Sequence, residues 1–255
     1  GHPIAIISGY EEARLVYEGL SRSVVNDNKQ RLVIDIGGAS TEFIIGCDST
    51  PELLESLSFG CVAITREFFS DGINSKSIKA AHLAVCDRIE SIRAYYVKHG
   101  WDIGYGTSGT MRAIADLCQA QDGGAVITAS SLNQLVQQLE KDGEITNGDF
   151  SKPRRTVLPA GIVILKAIYD ELNIKVLHVA DATLKEGLIY DTIGRLNDDD
   201  TRQLTIEKLQ QQYRIDAQHG ERVRHLAAHL WRQIDGPILP GVSRTKLLSW
   251  AAQLH

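Results

Sequence analysis

Two acidic residues bracket a glycine-rich turn in the segment LVIDIGGASTEF, residues 32–43. Asp35 ends a run of apolar, β-prone residues, and Glu42 follows the turn. Carboxylate oxygens are the ligands that Mg²⁺ prefers, often through water. Glycine permits the close approach and the positive φ angles that point successive amides at one anion. The predicted phosphate loop consists of Gly37, Gly38, Ala39, Ser40 and Thr41, and the predicted metal ligands are Asp35 and Glu42.

A structural explanation for the same residues is a tight hairpin. Glycine pairs are common between two strands, and an aspartate at a strand end often caps turn amides. The turn is not a Walker loop, because no Lys-Ser/Thr pair follows it, and it lacks the GxGxxG spacing of a dinucleotide fold. The turn by itself therefore leaves both explanations open.

Composition excludes several classes of protein. The chain has 255 residues, of which 43% are hydrophobic and 23% charged, as expected for a globular protein with a proper core. A net charge of −5 argues against a general nucleic-acid binder. The four cysteines form no CxxC pair, so reduced thiols in a cytoplasmic protein are expected rather than zinc or disulfides.

Neither a membrane span nor a signal peptide is expected. No window approaches the roughly 18 apolar residues of a spanning helix, and the N-terminus GHPIAIISG has no basic region before a long apolar core. The chain begins on an expected strand at 4–7 and ends within a helical pattern, LLSWAAQLH. These abrupt ends predict that it is an excised piece of a longer protein.

The elements that must position the acids follow from hydrophobic periodicity and turn signals. Strands and helices alternate up to residue 193, which predicts an α/β domain with an apolar sheet. In chain order we expect helix 10–20, strands 31–36, 41–46 and 52–60, helices 62–69 and 77–99, strand 101–106, a helix opening at TSGTMRAIADLCQ, a further helix, helix 157–172, strand 175–180 and helix 183–193.

The sequence changes character at NDDDTR, residues 197–202, which reads as a charged linker. No strand candidate follows it. Helices are expected in LTIEKLQQQYRI, AQHGERVRHLAAHLWRQI and TKLLSWAAQLH. His219, His225 and His229 lie in the second of these, and without accompanying carboxylates they are expected at or near the surface. The boundary between α/β and all-α sequence is the clearest in the chain.

Several segments resemble, in the same order, the exopolyphosphatase and guanosine pentaphosphate phosphohydrolase family of the actin-like ATPase superfamily. They are ISGYEEARLVYEGL, DIGGASTE, LSFGCVAITREFF, GWDIGYGTSGTMRAI, VLPAGIVILKAIYDELNI and LKEGLIYD, and together they cover nearly all of residues 3–193. The resemblance implies the second lobe of an actin-like (ribonuclease H-like) domain at 1–195, with a mixed sheet and flanking helices. An all-α segment at 196–255 is similar to the start of an HD-like C-terminal domain.

The resemblance also implies an activity. The family releases the terminal phosphate of inorganic polyphosphate or the 5′ γ-phosphate of guanosine pentaphosphate, a reaction that needs positioning and charge neutralisation. It places the catalytic base at Glu12 and makes Asp35 and Glu42 ligands of Mg²⁺ or of its waters. On a helix Glu11 and Glu12 point about 100° apart, so only one faces the cleft. Arg14 is expected to be structural.

A second glycine turn matches the superfamily at Ser108, Gly109 and Thr110. The resemblance implies that this turn lines the path of the anion; a helix start capped by Ser108 or Thr110 is the structural alternative. Ala39 stands where many relatives have glycine, which costs little if its φ is negative.

Two basic segments remain. TLKEG departs from the family's A-L-R-E-G, because Lys185 offers a point charge where arginine offers bidentate recognition. Lys152, Arg154 and Arg155 in SKPRRT would attract a polyanion, but a solvated loop is the favoured explanation.

Other functions stay open. An ATP-using relative would need a base pocket around GTSGT, and a non-catalytic lobe could bind polyphosphate or guanosine phosphates. The first lobe's phosphate loop would lie upstream of residue 1. The resemblance further implies a cytoplasmic homodimer, with peripheral membrane association as an alternative location.

Overall fold

The computed structural model describes residues 6–122, 126–196, 206, 210, 215–231, 233 and 244–254. The chain forms two compact units, Gly1–Tyr190 and Asp191–His255. The first unit contains all six strands of one mixed sheet, in the order β3-β2-β1-β4-β6-β5. The strands are β1 (Gln30–Ile36), β2 (Thr41–Cys47), β3 (Thr50–Leu57), β4 (Ile103–Thr107), β5 (Val126–Thr128) and β6 (Val176–Val179).

Strand direction divides this sheet. β1, β2 and β3 form an antiparallel meander, β1 and β4 are parallel, β4 and β6 are parallel, and β5 is antiparallel to β6. The carboxyl ends of β1, β4 and β6 therefore meet at one edge of the sheet, where ligands bind in open α/β sheets. The α/β class and the mixed sheet are confirmed; the short β5 was not predicted.

In the described part of the chain, seven helices accompany the sheet. They are α1 (Gly9–Ser21), α2 (Cys61–Phe68), α3 (Ser75–His99), α4 (Ser108–Asp122), α5 (Ala129–Asp142), α6 (Lys152–Leu172) and α7 (Leu184–Leu196). Side chains from α2 to α6 share one large core with alternate residues of the strands, such as Ile34 and Phe43. α1 packs on the opposite face, where Val33 and Ile44 join a smaller core.

The ends of two helices follow local chemistry. Asn74 caps α3 together with Ser77 in a capping box, and Gly100 follows its last turn with a φ of +74°, as expected. α6 begins at Lys152 rather than at 157, so the expectation that SKPRRT is a solvated loop is wrong. Pro153 explains the earlier start, since proline suits the first turn of a helix.

The beginning of the chain also differs from the expectation. Ile6 and Ile7 lie outside any strand, and residues 4 and 5 lie outside the described residues. Ser8 instead caps α1, its Oγ accepting a hydrogen bond from the Glu11 amide at 3.3 Å. A serine followed by glycine and two acids favours a helix start over a strand end.

The second unit is helical where it is described. It contains α8 (Ala217–Trp231) and α9 (Arg244–Gln253). The charged linker 197–202 and most of the helix expected at 204–215 lie outside the described residues. His219, His225 and His229 are exposed on α8, as predicted. Among the residues described, no helix is long and apolar enough to cross a membrane.

Candidate functional site

Asp35 is the next-to-last residue of β1 and carries a buried carboxyl group. Its Oδ2 accepts a hydrogen bond of 2.9 Å from Thr107 Oγ1, at the end of the parallel strand β4. Burial raises the pKa of Asp35 to about 6; the Thr107 hydrogen bond lowers it, and the charge of Glu12 raises it. A carboxylate with so little solvent lacks the compensation that a cation would provide.

Glu42 lies beside Asp35. The two are direct partners in the β1–β2 register, so their side chains project from the same face of the sheet, the face that α1 covers. Ser56 Oγ donates to Glu42 Oε1 at 2.8 Å. Burial raises the pKa of Glu42 to about 7, against hydrogen bonds from Ser40 and Ser56 that lower it. The structure thus brings the two predicted metal ligands together.

Glu12 joins this pair from α1. Its charge is among the causes that raise the pKa values of both Asp35 and Glu42, which places it near both carboxyl groups. The neighbouring Glu11 points elsewhere: its two oxygens accept hydrogen bonds of 2.8 Å from the guanidinium of Arg14. Of the two adjacent acids, Glu12 is thus the one whose charge acts on Asp35 and Glu42, while Glu11 is engaged by Arg14 in an ion pair.

The glycine turn between β1 and β2 is closed by a hydrogen bond from the Gly37 amide to the Ser40 carbonyl, at 3.0 Å. Within the described part of the chain, the amides of Gly38, Ala39 and Ser40 donate to no acceptor. Gly38 and Ala39 are exposed, and Ser40 is half-buried. Three consecutive amides are thus available to an anion.

The turn does not use the positive φ angles that glycine permits. Neither Gly37 nor Gly38 has a positive φ, and neither does Ala39, so alanine is accommodated there without strain. A Cβ on Gly38 would meet only Val62 Cγ2, at 3.4 Å. These glycines therefore supply a bare surface rather than an unusual backbone.

The carbonyl side of the same turn caps α2. The amides of Cys61 and Val62 donate to the carbonyls of Gly37 and Gly38, at 2.9 and 2.8 Å. Gly60 makes this approach possible, because a Cβ there would lie 2.6 Å from the Gly37 oxygen. Thr41, predicted as part of the phosphate loop, is fully buried and its hydroxyl donates to the Phe59 carbonyl at 2.7 Å, so it serves the scaffold.

The second glycine turn joins β4 to α4 and lies beside Cys61, the first residue of α2. Ser108 has a φ of +89°, which is rare for a residue with a side chain and costs backbone strain. Its Oγ accepts from the Met111 amide at 3.4 Å, as a helix cap does. Gly109 is exposed, while Thr110 Oγ1 lies 3.5 Å from Cys61 Sγ. Both predicted turns thus border one region at the carboxyl edge of the sheet.

Arg154 reaches this region from the first turn of α6. Its guanidinium lies against the bare Cα of Gly109 and donates to Thr110 Oγ1 at 3.3 Å. Among the described residues no carboxylate pairs with it. Its neighbour Arg155 has a different role, since it donates to the carbonyls of Ile145, Thr146 and Gly148. One of the two arginines is thus free to meet an anion.

The TLKEG segment proves to be a helix start. Glu186 accepts hydrogen bonds of 2.7 Å from both the amide and the hydroxyl of Thr183, which forms a capping arrangement for α7. Lys185 is exposed, whereas Gly187, two residues later, packs on α1. The replacement of arginine by Lys185 therefore falls outside the contacts that shape the acidic cluster.

Asp35 and Glu42 fit Mg²⁺ provided that water and phosphate oxygens complete its coordination shell. No group of three or more His, Cys, Asp or Glu side chains within the described ranges could hold a metal ion unaided. Mg²⁺ does not require such a cage, because it binds through one or two carboxylates and completes its shell with water and phosphate oxygens. Asp35 and Glu42, buried and adjacent, supply that pair.

The sequence analysis missed three contributors to this site, and it named Arg154 only as part of a basic cluster. Ser56, Thr107 and Arg154 contact the site from distant positions in the chain. Gly60 lies in the quoted segment LSFGCVAITREFF, but only the close approach of the phosphate loop explains it. Gly60 was thus the one residue in the sequence that could have indicated a close approach to the phosphate loop.

The chain resembles known proteins over its whole length. The profile of the Ppx/GppA phosphatase family matches residues 1–196, and the profile of Ppx/GppA phosphatase, domain III, matches residues 201–255. The guanosine-5'-triphosphate,3'-diphosphate pyrophosphatases of Vibrio campbellii and Vibrio parahaemolyticus are 36% and 37% identical over 260 residues, with 100% of this chain and 52% of theirs covered. The chain thus spans about half the length of these curated relatives.

Solved structures share the fold. A Ppx/GppA family member of Aquifex aeolicus superposes with a TM-score of 0.65 at 21% identity, over 75% of this chain and 64% of that one. An exopolyphosphatase from Cytophaga hutchinsonii gives a TM-score of 0.64 at 20% identity, over 72% and 63%. By its two profile matches and these relatives, the chain belongs to the Ppx/GppA phosphatase family.

Proposed function

We propose that this chain is the catalytic lobe of a phosphoanhydride hydrolase. The enzyme releases the terminal phosphate of guanosine pentaphosphate, of inorganic polyphosphate, or of both. The observation that carries the proposal is the buried pair of Asp35 and Glu42, with Glu12 beside it and an open row of amides at the adjoining turn. The names of the relatives support the substrates.

The row of amides at Gly38, Ala39 and Ser40 binds the oxygens of the terminal phosphate. Arg154 neutralises further negative charge from the side of the second turn. When bound to Asp35 and Glu42, Mg²⁺ supplies the positive charge that lets three carboxylates and a polyanion share one region. Charge neutralisation and positioning are what this reaction needs most.

Glu12 orients the attacking water and takes its proton. The water attacks the terminal phosphorus in line with the bridging oxygen, which leaves with the electron pair of the broken bond. Of the acids in this cluster, Asp35 and Glu42 are engaged by hydrogen bonds from Thr107 and Ser56. Glu12 enters from a separate element and is the group left for proton transfer.

A Glu12→Gln variant of the full-length protein tests this assignment, with Glu11→Gln as its matched control. Phosphate release is measured with guanosine pentaphosphate, polyphosphate and ATP. Loss of general-base catalysis lowers the rate by about 10²- to 10⁴-fold, whereas Glu11, held by Arg14, tolerates the change. Full activity of Glu12→Gln on every substrate would refute the proposal, and preferential hydrolysis of ATP would favour a nucleotide-using relative.

We further propose that the chain acts with a second lobe, since its relatives are about twice as long. An actin-like fold closes two lobes over its ligand, so this chain alone should bind phosphate weakly and turn over slowly. Equal rates of phosphate release by this chain and by the full-length protein would contradict that expectation.

A further inference from the structure

α1 and α7 cross at two glycines. A Cβ on Gly187 would overlap the carbonyl oxygen of Leu15 and lie 3.2 Å from the Gly19 amide. A Cβ on Gly19 would lie 2.8 Å from the Thr183 carbonyl oxygen and 2.9 Å from the Gly187 amide. Every one of these neighbours is backbone, which cannot rotate away as a side chain can. The helices thus touch main chain to main chain.

This contact lies one to two turns along α1 from Glu12. Glu12, Leu15 and Gly19 are separated by three and four residues, so they lie on one flank of the helix. Ala13, Val16 and Leu20 belong to the core against the sheet. The flank that carries Glu12 is therefore the flank that meets α7.

The remaining anchors of α1 are also close. At its start, the bare Cα of Gly9 lies against Ser56, the residue that donates to Glu42. Over β2, the ring of Tyr17 lies on Gly46, where a Cβ would come within 2.5 Å of the ring. The sheet fixes one side of α1, and α7 fixes the flank that carries Glu12. A shift of α1 away from either contact would therefore move Glu12.

We propose that Gly187 is a positioning residue for catalysis: its bare Cα sets the distance between α7 and α1 and thereby fixes where Glu12 lies relative to Asp35 and Glu42. The inference rests on the proposed role of Glu12 as base. The capping of α7 by Thr183 and Glu186 contributes, because it fixes where the helix begins and hence where Gly187 meets α1.

The test uses Gly187→Ala and the milder Gly19→Ala in the full-length protein, with Gly220→Ala as control. A Cβ on Gly220 would lie 2.7 Å from the Gln253 carbonyl oxygen, a similar backbone clash within the C-terminal unit. We expect kcat of Gly187→Ala to fall by about 10²-fold, as a displacement near 1 Å does, with KM little changed. The kcat of Gly19→Ala should fall by a smaller factor, and the kcat of Gly220→Ala should stay unchanged.

A second readout separates positioning from general damage. In a Glu12→Gln background, Gly187→Ala should cause no further loss of the residual rate, because its effect acts through Glu12. The inference would be overturned if Gly187→Ala kept its kcat. It would also be overturned if Gly187→Ala lowered the rate by the same factor in the Glu12→Gln background, or if Gly220→Ala lowered kcat as much as Gly187→Ala does. If Gly187→Ala fails to fold, Gly19→Ala decides by the same criteria. Full activity of Glu12→Gln alone would instead refute the proposed function.

Discussion

Thr107 and Asp35 join the ends of two parallel strands through a hydrogen bond of 2.9 Å. The hydroxyl of Thr107 is fully buried and donates to a carboxylate that is itself almost without solvent. A single hydrogen bond does not compensate for the burial of a charge, and the pKa of Asp35 accordingly stays at about 6. The site is therefore built at a cost to the stability of the empty protein.

The first prediction concerns stability and pH. The folded pKa values of Asp35 and Glu42, about 6 and about 7, exceed their ordinary values of 3.8 and 4.5. Their contribution to stability is therefore complete below pH 4 and is lost as the pH rises through 6 and 7. Asp35→Asn should raise the free energy of unfolding at pH 8 by about 3 kcal/mol and change it little at pH 4. Urea unfolding at the two pH values measures this; an equal effect at both would contradict it.

The second prediction concerns metal binding. Mg²⁺ requires ionised carboxylates, so its affinity should rise with pH across the range in which Asp35 and Glu42 lose their protons. Calorimetry in two buffers of different ionisation enthalpy should show proton release on binding near pH 6. Glu42→Gln is the control, in which the number of protons released should fall. A binding constant independent of pH between 5 and 8 would show that the metal binds elsewhere.

The third prediction separates Gly38, in the predicted phosphate loop, from Gly60, which packs against the backbone of that loop. Gly38→Ala should preserve the thermal midpoint, because its φ is not positive and its Cβ meets only Val62 at 3.4 Å. It should weaken phosphate binding by about tenfold, since the methyl group obstructs the amides. Gly60→Ala should instead lower the free energy of unfolding by about 1–3 kcal/mol, because its Cβ would clash with the Gly37 carbonyl oxygen in the backbone of the loop. Thermal unfolding and phosphate titration distinguish them; unchanged phosphate affinity in Gly38→Ala would remove this loop from binding.

The fourth prediction compares adjacent arginines. Arg154 contacts the second glycine turn, and Arg155 donates to three carbonyls of the preceding loop. Arg154→Met should raise KM for polyphosphate about tenfold and reduce its salt dependence, with little change in stability. Arg155→Met should lower the thermal midpoint and leave KM within about twofold. The reverse pattern in steady-state kinetics and thermal unfolding would exchange their roles.

Local sequence determined the parts that depend on a few neighbouring residues. The meander of three strands, the helix carrying Glu12 and the turn from Gly37 to Ser40 each follow from periodicity and turn chemistry within about ten residues. The segments that resemble the family, taken in their order, also identified the acidic residues and the fold class. The start of α6 was misplaced, since Pro153 and Pro159 both appear in its sequence and only packing shows which one a helix interior tolerates.

The sequence by itself determined which residues are candidates for the chemistry: Glu12, Asp35 and Glu42 as acids, and a turn with little side chain. Only the tertiary structure decided their partners. Thr107 meets Asp35 across 72 residues of chain, and Arg154 meets Thr110 across 44. Such contacts arise from strand order and helix packing, which no local pattern records. The same holds for Gly187, whose lack of a side chain acquires meaning only where another helix crosses it.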